Sequence, residues 1–492
     1  MNLFSILELA AKKWPEETAV IHSDRSFRYS ELHHGAESLA SGLCKAGVRA
    51  GDKIGLMCPT GPEYIVGFFA VLRVGGIAVS ISPAFKAAEI CDLANEMGLD
   101  GFCYSDQFKA VIPEGVRSTA SKVFVFGDRH PLWVQLNTDH EIRPGEREQL
   151  MEMNTACIHW SSGTASKAKG IVLSHATVLV GVETHCHEPP ISHSDTVLWV
   201  QSMEGGFPQA IGAYLLQGAK IIIGNATDTQ KAGLLFKQHN ISLVQGIPLF
   251  YRLMLNQDDI TADCLRRVRH FITTGTALPR VVAEAFRAKF DREIIEHYGL
   301  RECGKVLANF NEGINKRGSV GTPVGGYKVM LALGNPGQSE EGPIGELLVH
   351  GPGLFEAYYM PWRLRDEVLE DRWFRTGDVA RRDADGYYWI VGRTKEVINV
   401  GGVKVFPQEL EEILLSHPAV EEAVVYGVAE GRFGEVPHAK VKLRAGATCT
   451  EREIMRHVNE KVSLFKSLRG VELVAEIPKT VTGKPRRTVV ES

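Results

Sequence analysis

The feature that most constrains this chain is the regular turn-taking of helix-like and strand-like segments over its first three hundred residues. Leu32, Ala36, Leu39 and Leu43 fall on one face of a helix that ends near Gly47, with Ser30 expected as its cap. "KIGLMC" then reads as a strand, the segment from Gly61-Pro62 through "EYIVGFFAVLRV" as a helix, "IAVSISP" as a strand and "AAEICDLANEMG" as a helix. The pattern resumes with "AKIIIG", "AGLLFKQHN", "ISLVQG", the strand after "LRRVRHFITTG" and the helix "RVVAEAFRAKF". Strands that alternate with helices are joined by crossovers. They build parallel-rich sheets with helices on both faces.

From about Tyr327 the texture changes. "GELLVHG" and "YYWIVGR" are short strands among turns, which predicts a small antiparallel subdomain. A second change comes near Arg393-Thr394-Lys395. Beyond it, "QELEEILLSH" and "EREIMRHVNEKV" read as helices and "EEAVVYGV" and "HAKVKLR" as strands. The expected class is therefore α/β. It has a large N-terminal domain, residues 1–394, and a small α+β C-terminal domain, residues 395–492. No internal repeat or low-complexity tract interrupts it.

At 492 residues the chain exceeds one core. A net charge of −4 argues against nucleic acid or an anionic membrane as a general partner. Nine scattered cysteines without a Cys-x-x-Cys pair point to a reducing compartment, and the cytoplasm is the expected location. The N-terminal stretch carries Glu8, Glu16 and Glu17 and does not read as a secretory signal. The run Tyr64–Ile81 is too interrupted by Arg73 and Gly75-Gly76 to span a bilayer. His185-Cys186-His187 has no second ligand pair and reads as an ordinary loop rather than a metal site.

One loop carries chemistry. "SSGTASKAKG", residues 161–170, has hydroxyls, glycines and two lysines. It fails the Walker pattern, because Ala168 stands where a glycine is needed and Gly170 follows Lys169. "TACIHW" before it and "GIVLSH" after it are strand-like, so it is a turn between two strands. Further motifs follow in order: Tyr298-Gly299-Leu300-Arg301-Glu302, Gly345-Glu346-Leu347, Phe374-Arg375-Thr376-Gly377-Asp378, Gly392-Arg393-Thr394-Lys395-Glu396, and Pro478-Lys479-Thr480-Val481-Thr482-Gly483-Lys484-Pro485-Arg486-Arg487. In this set and order the sequence resembles the adenylate-forming superfamily of acyl- and aryl-CoA synthetases, peptide-synthetase adenylation domains and luciferases. The resemblance covers essentially the whole chain.

The resemblance implies a two-step ligase: a carboxylic acid and ATP give an acyl adenylate, and a thiol then displaces AMP. It implies ATP, Mg2+ and CoA, with a carrier-protein pantetheine as the alternative acceptor. It gives ATP or AMP contacts to Ser162, Gly163, Thr164, Lys169, Glu296, Tyr298, Gly299, Arg301, Asp378 and Arg393. Tyr298 would lie against adenine, and Asp378 and Arg393 would hold the ribose. Glu302 would be both catalytic and the magnesium carboxylate. Lys484 would stabilise the charge that develops during adenylation.

Lys395 is the implied hinge of a mobile C-terminal domain, and Gly401 and Gly402 line the implied thiol tunnel. The implied acyl pocket holds Glu204, Gly205, Phe207, Thr274, Gly275, Thr276 and His297. Glu204 either reads a substrate amine, pairs with a basic neighbour or faces solvent. The chain departs from the family pattern at Ala165, Ser166, Ala168 and Arg301. Those departures keep a second class open, a non-catalytic member that binds a nucleotide. The oligomeric state, monomer or homodimer, is left open.

Overall fold

A computed structural model describes residues 2–112, 124–126, 134–135, 145–160, 169–310, 316–332, 342–478 and 487. Among them, helices and strands alternate as the sequence pattern predicts. The helix Tyr29–Lys45 buries Leu32, Ala36, Leu39 and Leu43. Its start differs from expectation: Arg28, not Ser30, is the cap residue, and the Arg28 N–H donates to the Glu31 carboxylate at 2.7 Å. A glutamate at the third helical position does the work that a serine hydroxyl was expected to do.

Two nine-stranded sheets form the body of the chain. In the first, Ile294–Leu300, His270–Thr273, Leu243–Gly246, Thr196–Trp199, Lys220–Ile223 and Thr18–His22 lie side by side and parallel. In the second, Thr155–Trp160, Ile77–Ser80, Lys53–Met57 and Gly101–Ser105 run parallel in that order. Lys53–Met57, Ile77–Ser80 and Thr155–Trp160 are buried at every position, as strands covered on both faces must be. One hydrophobic cluster takes Val20, Val197 and Leu243 from the first sheet and Ile54, Ala78 and Ile171 from the second, so the two sheets share a core.

The expected antiparallel subdomain is a four-stranded sheet in the order Lys328–Ala332, Ile344–His350, Phe374–Arg382, Tyr388–Arg393. Beyond it, Ile398–Val400, Val403–Val405, Val420–Glu430, Gly434–Leu443 and Gly470–Leu473 make a separate sheet. Two helices, Pro407–Leu415 and Glu451–Asn459, cover it. Its hydrophobic cluster draws only on residues from Ile398 to Leu473.

All nine cysteines are free, and five are buried. The His185-Cys186-His187 loop expectation is corrected: these residues form the last turn of the helix His175–His187. No helix among the described residues is long and apolar enough to cross a membrane.

Candidate active site

The site gathers where the parallel strands of the first sheet end, the place where α/β sheets open a crevice. Strand Ile294–Leu300 pairs with His270–Thr273, then folds back on Gly304–Ala308. Gly299 sits in the tight part of that hairpin. A Cβ there would meet the Gly304 carbonyl oxygen at 2.2 Å, so only glycine fits.

Successive side chains of this strand point to opposite faces. Glu296 accepts the Leu278 N–H at 3.1 Å, and burial, with a smaller push from Glu412, raises its carboxyl to about 7. Tyr298 is buried, and its hydroxyl donates to Asp378 at 2.6 Å. Arg393, paired with Asp378 across the Phe374–Arg382 and Tyr388–Arg393 strands, reaches its other oxygen at 2.9 Å. Thr376 and Thr394 tie down the turn around Gly377. Asp378 lies 80 residues after Tyr298 and 15 before Arg393, and the three form one hydrogen-bonded unit in which Tyr298 and Asp378 are buried and Arg393 is half-exposed.

Next to it lies a second unit. Tyr358 donates to Glu302 at 3.1 Å, and the Lys169 ammonium sits 4.6 Å from the centre of the Tyr358 ring. Burial raises the Glu302 carboxyl, while Tyr358, Arg301 and Lys169 pull it down. The hairpin end of the quoted loop is in place, because Trp160 pairs with Gly170. Ser162, Gly163 and Thr164 lie outside the described residues.

Arg301 faces inward. Burial lowers its guanidinium, and Glu204, then Glu302 and Tyr64, oppose that fall. Glu204, on the short helix Met203–Gly206 that also holds Gly205, accepts from Ser82 at 3.2 Å. Burial raises its carboxyl and Arg301 lowers it. Arg301 is therefore a basic neighbour of Glu204, in keeping with one of the three roles left open for it. His159 completes this wall. Its Nε2 is buried without a hydrogen-bond partner, and burial, with Arg301, pushes the ring down to about 3.

The remaining pocket candidates separate. Phe207 packs edge-on against Tyr64 and Phe68, with centroids 5.3 and 4.5 Å away, so it backs the wall from within the core. Thr274, Gly275 and Thr276 form the exposed loop after His270–Thr273, and Gly275 has φ +92°. His297 is buried on the face away from Glu296 and Tyr298.

At the domain border, Lys395 lies exposed in the short turn Thr394–Glu396. Gly401 and Gly402, with φ +58° and +90°, make the tight turn between Ile398–Val400 and Val403–Val405. Lys484 lies outside the described residues, but Arg487 does not. Arg487 pairs with Glu396, in the same turn as Lys395, and with Glu411, each at 2.9 Å.

The AMP-binding enzyme family model matches residues 7–359, and its C-terminal-domain model matches residues 409–484. The chain belongs to the AMP-binding enzyme family. A mitochondrial medium-chain acyl-CoA ligase of Rattus norvegicus is 28% identical over 97% of this chain and 85% of its own length. A long-chain-fatty-acid–CoA ligase of Bacillus subtilis is 25% identical over 100% and 94%. Among solved structures, ATP-bound MatB from Rhodopseudomonas palustris superposes with a TM-score of 0.87 at 24% identity, covering 99% of this chain and 97% of that one. An anthranilate CoA ligase bound to anthranoyl-AMP gives 0.85 at 25% identity, covering 99% and 96%.

Sequence reasoning missed Ser82, His159 and Tyr358 in the site. None stands in a motif, and each joins the site only through tertiary packing. Tyr358 carried the one available signal, a tyrosine pair, Tyr358-Tyr359, shortly before the "FRTGD" segment.

Proposed function

We propose that this member of the family is an acid–thiol ligase. It activates a carboxylic acid with ATP and passes the acyl group to CoA. The observation that carries the reading is the convergence on one strand end of Asp378, held between Tyr298 and Arg393, with Glu302, Lys169 and Arg301. A carboxylate that can accept several hydrogen bonds suits vicinal ribose hydroxyls. The two cations beside it, Lys169 and Arg301, suit a polyphosphate.

In the first step a substrate carboxylate oxygen attacks the α-phosphorus of ATP. The bond to the β-phosphate oxygen breaks, and pyrophosphate leaves. Arg301 stabilises the charge shared by carboxylate and α-phosphate, and Lys169 holds the outer phosphates. Lys484 supplies a further cation to the transition state. In the second step the thiol sulfur attacks the acyl carbon, AMP leaves, and the thiol proton is released. For that step the unit from Lys395 onward turns about its hinge and brings Gly401-Gly402 to the site.

Among the described residues no three His, Cys, Asp or Glu side chains are placed to hold a metal. Mg2+ needs no such cage, since it is commonly held by one or two carboxylates together with substrate phosphates. Glu302 fits that pattern, and the ion when bound neutralises phosphate charge.

The test is pyrophosphate exchange over a panel of carboxylic acids, followed by thioester formation with CoA or with a carrier-protein pantetheine. Acid-dependent exchange and a CoA thioester are expected. ATP binding without exchange for any acid would make the chain a non-catalytic binder, the reading its loop departures keep open.

A further inference from the structure

Tyr358 ends the short strand Ala357–Tyr358, and Tyr359 follows it. Their side chains leave on opposite faces. Tyr358 packs in the core shared by the two large sheets and reaches Glu302, whereas Tyr359 packs in the cluster on the other face of the second sheet. The strand pairs antiparallel with Gly170–Ser174. Tyr358 stands opposite Ile171, and the Tyr359 N–H donates to the Gly170 carbonyl at 2.7 Å. Gly170 has no room for a side chain, since a Cβ there would meet the Tyr359 Cβ at 2.8 Å. The backbone at Gly170 is therefore seated directly on Tyr359. The residue before it is Lys169, whose ammonium lies over the Tyr358 ring.

The far end of Tyr359 is held by charges. Lys53 opens the strand Lys53–Met57, Glu146 opens the helix Glu146–Glu152, and both are buried. The Lys53 ammonium donates to Glu146 at 2.5 Å and to the Tyr359 hydroxyl at 2.8 Å. The hydroxyl in turn donates toward Glu146 at 2.6 Å, with the Met97 carbonyl 3.0 Å away. Taking two charges out of water costs about as much as their attraction returns, so such a pair adds little net stability over an apolar filling of the same size. It does fix a position. Directional bonds from a cation and an anion hold the tyrosine oxygen at one point, where an apolar wall would let the ring slide.

We propose that Lys53, Glu146 and Tyr359 are positioning residues for the ATP step: they anchor Tyr359 against Gly170 and so set Lys169 where it meets the outer phosphates. None of the three touches the nucleotide; they act through Lys169. This inference rests on the ligase reading above.

The experiment uses Tyr359→Phe, which removes the anchored hydroxyl and keeps the ring. Its kcat/KM for ATP in pyrophosphate exchange should fall by about tenfold. Thioester formation from chemically made acyl adenylate plus CoA should stay within about twofold of wild type, because that substrate has no β- or γ-phosphate. A merely structural role would lower both steps together. In a Lys169→Ala background, Tyr359→Phe should change exchange by less than about twofold, since the residue it acts through is gone. Should Tyr359→Phe fold poorly, Glu146→Gln, which keeps an acceptor for both partners and loses only the charge, should show the same split between the steps. Equal losses in both steps, no loss in exchange, or an undiminished loss in the Lys169→Ala background would overturn the anchor and leave the ligase reading standing. If no acid is activated by the wild type, the ligase reading falls, and calorimetry decides the anchor. Tyr359→Phe should then weaken ATP by about tenfold and leave AMP unchanged. Equal effects on ATP and AMP would overturn it.

Discussion

At the residue scale the site turns on Asp378. Its two oxygens already hold the Tyr298 hydroxyl and the Arg393 guanidinium. A carboxylate has about four acceptor positions, so two ribose hydroxyls can be added without losing either contact. If Asp378 takes the ribose as proposed, Tyr298 and Arg393 aim the acceptor before the nucleotide arrives. Asp378→Ala should abolish measurable ATP binding by calorimetry. It should also lower unfolding stability by about 1–3 kcal/mol, because the Tyr298 hydroxyl is left buried without an acceptor. ATP affinity equal to wild type would remove Asp378 from the nucleotide site. Arg301 gives a second residue-scale test. If it takes the place of threonine at the α-phosphate, Arg301→Thr should keep the exchange rate within about tenfold of wild type. A fall of several hundredfold would mean that the inward-facing arginine has a task that threonine cannot perform, such as pairing Glu204.

Glu296 makes a pH prediction at the same scale. Burial raises its carboxyl to about 7, above its unfolded value. The stability contributed by its protonated form is therefore complete below about pH 4.5 and is lost as pH rises through 7, up to about 3 kcal/mol. Glu296→Gln keeps an acceptor for the Leu278 N–H and cannot ionise. The thermal midpoint of the variant should gain on wild type between pH 5 and pH 8. Parallel midpoint curves would show that Glu296 stays ionised in the folded chain.

At the scale of elements, the hairpin of Ile294–Leu300 and Gly304–Ala308 fixes where Tyr298, Arg301 and Glu302 stand. Gly299→Ala drives a methyl group into the Gly304 carbonyl, and the strands must part. The overpacking should cost about 1–3 kcal/mol by denaturant unfolding, with a larger loss of activity than of stability. Much of this was legible beforehand. Strands such as Lys53–Met57 and helices such as Pro62–Arg73 announce themselves by local periodicity and by their Gly-Pro boundaries. The motifs around Tyr298, Asp378 and Arg393 were legible as short strings.

What was not legible is whatever depends on pairing across long separations. Thr18–His22 lies beside Lys220–Ile223, and no local pattern in either strand names the other. His159, Ser82 and Lys305 are isolated polar residues in apolar surroundings, and only the folded core gives them their neighbours. The helix start at Tyr29 was misplaced for a smaller reason. Ser30 is the stronger cap by residue type, but Glu31 reaches back to Arg28 and sets the boundary two residues earlier.

At the scale of the whole molecule, two units with separate cores meet at the site. Arg252 of the large unit donates to the Glu421 carbonyl at 3.1 Å and pairs with Glu422 at 3.5 Å. Glu412 on the helix Pro407–Leu415 comes close enough to raise Glu296 and to be lowered by Arg280. Arg487 ties the C-terminal segment to Glu396 in the turn that holds Lys395. Under the proposed mechanism this small unit pivots on that turn, and each half-reaction uses a different part of it, Lys484 in the first and the Gly401-Gly402 turn in the second. Lys484→Ala should cost adenylation several kcal/mol, since it removes a charge that acts mainly in the transition state. It should leave thioester formation from chemically made acyl adenylate close to wild type. Lys395→Pro should do the reverse, because a fixed φ in the turn hinders rotation while leaving Lys484 in place. Both variants are assayed with acid plus ATP for the first step and with acyl adenylate plus CoA for the second. If Lys484→Ala is as impaired in the second step as in the first, one pose serves both reactions and the small unit does not turn.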